Sequence, residues 1–122
     1  MRALWLDVEN RKVEEVEVNG LEDYYRMIEC RCIDIVSRNI GGKYYDIICD
    51  DEGLLKDNIT ISAINKDWQE MLVGNLIICG LAKQGELTSL TDEDITHIKK
   101  RIIQVRSMLK PEGYPILSEC EY

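Results

Sequence analysis

At 122 residues, with 45% hydrophobic and 31% charged residues, the chain has the composition of one globular domain long enough to bury a core unaided. Its 23 acids against 15 bases leave a formal net charge of −8, which argues against direct binding to nucleic-acid phosphates and favours a protein partner, a basic one included. No apolar run reaches the length of a membrane span, and the N-terminus lacks the pattern of a secretory signal, so a cytoplasmic protein is expected.

The N-terminal segments predict a hairpin. Arg2 to Glu9 is apolar on both faces and reads as a covered strand, Asn10-Arg11 as a turn, and Lys12 to Val18 as a second strand. Asn19 followed by Glu22 matches a capping pair. It opens a short helix from Leu21 to Ile28, with Leu21, Tyr24, Tyr25 and Ile28 at helical spacing.

The stretch from Cys30 to Gly53 organises the chain. Ile33 to Val36 and Tyr44 to Cys49 flank Gly41-Gly42, a pair suited to a tight primed turn, so a second hairpin is predicted. A two-residue turn sets Val36 opposite Ile47 and Ile35 opposite Ile48. Arg38, Tyr45, Ile47 and Cys49 then share one face, while Tyr44, Asp46, Ile48 and Asp50 share the other. Asp50-Asp51-Glu52-Gly53 ends the strand as a polar turn.

Beyond it, Ile59 to Ile64 alternates weakly as a short strand. Asn65 to Leu72 carries Trp68, Met71 and Leu72 at spacing that predicts a turn or two of helix. Asn75 to Ala82 is the most hydrophobic run and reads as a buried strand, with a bulge at Gly80. Thr91 caps a final helix whose first turn is Asp92-Glu93-Asp94. Ile95, Ile98, Ile102, Val105 and Leu109 then form one apolar stripe until Pro111 and Gly113 stop it. Residues 110–122 are left as an extended tail. The sum predicts an α+β fold in one domain, residues 1–122. It has a mixed, mostly antiparallel sheet of about five hairpin-built strands, a short N-terminal helix and a long amphipathic C-terminal helix packed on the sheet.

Candidate chemistry is sparse. Cys30, Cys32, Cys49, Cys79 and Cys120 are odd in number and sit largely in apolar runs, as reduced, packed thiols do. Cys30 and Cys32 with Cys49 lack the spacing of a zinc knuckle. His97, the only histidine, lies beside the helical stripe, and nothing in the spacing pairs it with a thiol. Asp50-Asp51-Glu52 lacks the ligand spacing of a calcium loop. No catalytic residue, metal ligand or cofactor site is therefore assigned. Arg31, Arg38, Lys43 and Tyr44, around the central hairpin, form the best candidate ligand site, since guanidinium forks hold phosphate and tyrosine stacks on a base.

With these residues read, the segments IGGKYYDIICDDEGLL and LTSLTDED give the chain a resemblance. It resembles a family of small uncharacterised proteins, carried under a domain-of-unknown-function label, of phages, plasmids and conjugative elements of Gram-positive bacteria. The resemblance implies a mobile-element origin and a cytoplasmic setting, and no catalytic residues. Where that family has a longer, proline-containing connector after the DDEG turn, this chain has NITISAINKDWQE.

The expected function is that of a non-enzymatic, acidic accessory or binding protein of a mobile element. It acts through protein–protein contacts, modulation of a host defence system being one version, and a homodimer is compatible with the two-faced hairpin. The alternatives are a nucleotide- or anion-binding protein and, last, a cysteine- or metal-dependent enzyme.

Overall fold

The computed structural model describes residues 1–56 and 59–122. Eleven strands and two short helices follow one another as β1 (Arg2–Asp7), β2 (Lys12–Glu17), α1 (Leu21–Ile28), β3 (Ile33–Ile40), β4 (Lys43–Asp50), β5 (Ile61–Ile64), β6 (Glu70–Val73), β7 (Leu76–Lys83), β8 (Glu86–Thr88), α2 (Asp92–Lys99), β9 (Ile102–Val105), β10 (Tyr114–Leu117) and β11 (Cys120–Glu121). A 3-10 turn, Gly53–Leu55, follows β4.

The strands make two sheets. The larger runs β11-β3-β4-β7-β1-β2, with β8 added to β7; the smaller runs β6-β5-β10-β9. All pairs are antiparallel except β5 with β10. The sheets enclose the main core. Leu4, Leu6, Ile47 and Ile78 of the large sheet meet Ala63, Ile116 and Leu117 of the small one and Ile95 and Ile98 of α2. On the outer face of the large sheet, Met27 and Ile28 of α1 pack on Ala3, Ile48, Ile77 and Cys79. The protein is mostly β, which overturns the α+β reading with one sheet of about five strands.

The C-terminal half accounts for most of that correction. The long helix ends at Lys99, after eight residues, because Ile102 to Val105 pair with β10 instead. β-Branched residues fit a half-buried strand better than a helix once a partner strand is present to pair with. The helix start is as expected: Thr91 accepts from the Asp94 N–H and Asp94 accepts from the Thr91 N–H, closing a capping box. The tail is no tail. Tyr114, Ile116, Leu117 and Cys120 are buried, β10 lies inside the small sheet, and β11 closes one edge of the large one.

Two further readings change. Asn65 to Leu72 forms no helix: the Asn65 side chain accepts from the Asp67 and Gln69 N–H groups, making a turn that pairs β5 with β6. At α1 the Asn19–Glu22 cap does not form. The N-cap is Gly20, and the Asp23 carboxylate accepts from the Asn19 N–H instead.

The hairpin around Gly41-Gly42 has the expected register, with Val36 opposite Ile47 and Ile35 opposite Ile48. Gly80 marks the shift in the β7–β8 register. A Cβ there would stand 2.2 Å from Thr88 Oγ1, which explains the glycine.

Candidate functional site

Three surface clefts gather where β4 ends. The buried Asn75 fixes one wall: its Oδ1 accepts from the Val8 N–H and its Nδ2 donates to the Met27 carbonyl, tying the end of α1 to β1. Glu29 then adopts a left-handed conformation, φ 60°, and closes the helix. That turn delivers Cys30 and Arg31 beside Asp50, Glu52 and Lys56, around a cleft of about 540 Å³. A second cleft, of about 580 Å³, opens on the other side of the Asp50–Gly53 turn. Its walls include Leu54, Leu55, Met71, Leu72, Val73 and Tyr122. Gly53 packs between the two, where a Cβ would stand 2.8 Å from Val73 Cγ2.

The four residues assigned to ligand binding do not converge. Arg31 lies in the first cleft, 3.5 Å from Glu52. Arg38 faces the space between the sheets, donates to the Ser37 carbonyl, and stands over the Tyr122 ring, 4.9 Å from its centre. Lys43 leaves the turn and meets Asp94 of α2 at 2.5 Å. Tyr44, on the opposite face of the sheet, donates from its hydroxyl to the Tyr122 main-chain oxygen at 3.3 Å. Each of the four thus has a partner within the chain, although Arg38 Nε is buried without a hydrogen-bond acceptor among the described residues.

Burial and hydrogen bonding shift the buried thiols and Asp94. Burial pushes the Cys49 and Cys79 thiols up to about 12 and Cys120 to about 11, so all three stay protonated near neutrality and are poor nucleophiles. Burial, followed by the nearby Asp50 charge, raises Cys30 as well. Burial alone would raise Asp94, but hydrogen bonds from Lys43, Thr91 and Tyr45 hold it well below the usual carboxylate range. His97 Nε2 donates to the Ile40 carbonyl at 2.8 Å, leaving Nδ1 to accept from Arg101 at 3.4 Å. Both ring nitrogens are thereby committed to Ile40 and Arg101, not to a thiol. Among the described residues, no group of three or more His, Cys, Asp or Glu side chains is placed to hold a metal ion. No helix among them is long and apolar enough to cross a membrane.

The sequence reading missed Lys56 and the β6 wall. Lys56 Nζ lies 2.5 Å from Asp50 and donates to the Glu29 carbonyl at 2.7 Å, joining the DDEG turn to α1. The helix expected over Asn65 to Leu72 hides the place of Met71 and Leu72 beside the turn. The alternation in the GluMetLeuVal segment is too short to have signalled a strand.

These features define a two-sheet, mostly β protein whose charged and apolar clefts flank one acidic turn. The chain belongs to the family described as Domain of unknown function (DUF3846), whose model matches residues 1–103. The matched stretch ends within β9, so β10 and β11 lie beyond it. No curated protein and no solved structure matches the chain.

Proposed function

We propose that this chain is a non-enzymatic binding protein that acts through protein–protein contacts. The observation that carries the reading is the pair Leu54 and Leu55, 70% and 81% exposed, at the lip of a cleft beside Asp50 and Asp51. Exposed apolar side chains grouped beside a cleft mark a contact surface more often than single ones do. The net charge of −8 favours a basic partner and speeds the encounter with it. The resemblance to proteins of phages, plasmids and conjugative elements supports an accessory role on such an element, in the cytoplasm, with a host defence protein as one target.

The test is affinity capture by the tagged chain from lysate of a Gram-positive host carrying such an element, at low and moderate salt. Reproducible recovery of one partner, confirmed with the purified pair, supports the reading. Recovery of none at either salt counts against it.

A second reading, a nucleotide- or anion-binding protein, draws on the first cleft, where Arg26, Arg31 and Lys56 come together beside Tyr25. Its cost is that Glu29, Asp50 and Glu52 line the same cleft, so an anion must displace carboxylates from the cations. Calorimetry against a nucleotide panel decides it, and absence of heat at high protein concentration removes it.

A further inference from the structure

We infer that the cleft between the Asp50–Gly53 turn and β6 is the docking site, and that its occupant is an extended segment of a partner protein carrying apolar side chains next to lysine or arginine. The inference rests on the protein-binding reading above and assigns it a place and a chemistry.

The cleft walls are apolar: Leu54 and Leu55 on one side, Met71, Leu72 and Val73 on the other. Its volume of about 580 Å³ falls in the range of sites that take side chains or small ligands. The charged residues lining it are Asp50, Asp51 and Glu70, with no lysine or arginine among its described lining. Asp50 is already paired with Lys56, whereas Asp51 and Glu70 have no ion-pair partner among the described residues.

That imbalance selects the occupant. A purely apolar segment would cover two carboxylates without a counter-charge, and an anionic one would be repelled. A segment with an apolar side chain in the cleft and a cation on each rim satisfies both groups. The first cleft differs in that its three cations and three acids already balance, with two ion pairs in place. β6 also has only β5 as a hydrogen-bonded neighbour among the described strands, so an extended segment lies along it by strand addition, with alternate side chains turned to the cleft.

The test uses the full chain and three short fluorescent peptides in which leucine alternates with lysine, serine with lysine, or leucine with glutamate. Fluorescence polarisation is read for the wild type, for Asp51→Asn with Glu70→Gln, and for Leu54→Ser with Leu55→Ser. All four positions are exposed, and melting curves confirm that the variants fold. Should the leucine pair fail to fold, the charge pair decides. Saturable binding of the leucine–lysine peptide alone, weakened about tenfold or more in each variant, supports the assignment. No saturable binding, equal binding of the serine–lysine peptide, or unchanged affinity in the variants overturns it.

Affinity capture separates the two levels. A partner recovered equally by the wild type and both variants leaves the protein-binding reading standing and removes the cleft. A wild type that recovers no partner removes the reading, and this assignment with it.

Discussion

Lys43 Nζ lies 2.5 Å from Asp94 Oδ1, and this ion pair fastens the strand leaving the Gly41-Gly42 turn to the first turn of α2. The same oxygen accepts from the Tyr45 hydroxyl at 3.0 Å, while Oδ2 accepts from the Thr91 N–H. One carboxylate thus closes a helix cap and joins that helix to the central hairpin.

Asp94→Asn is therefore expected to lower stability at neutral pH by about 1.5–3 kcal/mol, the range for hydrogen bonds to a charged group. Asp94 binds its proton less readily in the folded chain than in the unfolded one, where its value is near 3.8. Its contribution is complete above that unfolded value and is lost as pH falls through the lower folded one. Urea midpoints measured from neutral to acid pH should fall more steeply for the wild type than for the variant, and parallel curves would refute the role.

The two turn glycines are expected to differ. Both have positive φ, 57° at Gly41 and 101° at Gly42, but a Cβ at Gly41 would stand 2.1 Å from Arg101 Nε, whereas at Gly42 it meets open space. Gly42→Ala should cost about 1 kcal/mol of backbone strain. Gly41→Ala must also displace Arg101, which lies 3.3 Å from Glu119 and donates to the His97 carbonyl, so it should cost more. Chemical denaturation of both variants checks the order.

Ile98 and Ile102 sit in one stripe by sequence but differ in the fold. Ile98 is fully buried among residues of both sheets, while Ile102 is half-buried on β9, an outer strand of the small sheet. Ile98→Asp should abolish cooperative unfolding by burying an unpaired charge. Ile102→Asp should keep a cooperative transition, weakened by about 1–3 kcal/mol. Thermal melts of the pair test this, and a wild-type melt for Ile98→Asp would show the core to be misplaced.

β3 carries its own guard against self-association. β11 pairs only with Asn39 and Ile40, which leaves the rest of that edge without a strand neighbour among the described residues. There the Asp34 carboxylate accepts from the Ile35 N–H, and Arg38 donates to the Ser37 carbonyl. Edge groups occupied in this way are poor templates for another strand. Asp34→Ala with Arg38→Ala should raise the self-association seen in sedimentation velocity, and an unchanged distribution would show that the edge is protected otherwise.

What the sequence by itself determined is local. The hairpin register around Gly41-Gly42, the β1–β2 pair, the buried run in β7 and the Thr91 cap all follow from signals within a few residues: paired glycines, alternation, an apolar run, a hydroxyl three residues before an acid. The Cys30–Gly53 stretch supplies β3 and β4, and β4 pairs with both β3 and β7 near the middle of the large sheet.

Only the tertiary structure decided the rest. Ile102 to Val105 satisfy helical and strand periodicity alike, and β10, brought alongside after the Pro111–Gly113 bend, settles it. Likewise Arg31, Arg38, Lys43 and Tyr44 look like one site because they are close in sequence. Strand alternation sends Arg38 and Tyr44 to opposite faces, and Glu52 and Asp94, brought in by other segments, take up Arg31 and Lys43. The cleft beside the DDEG turn is likewise assembled from β6 and Tyr122, distant in the chain, and no local pattern records such a meeting.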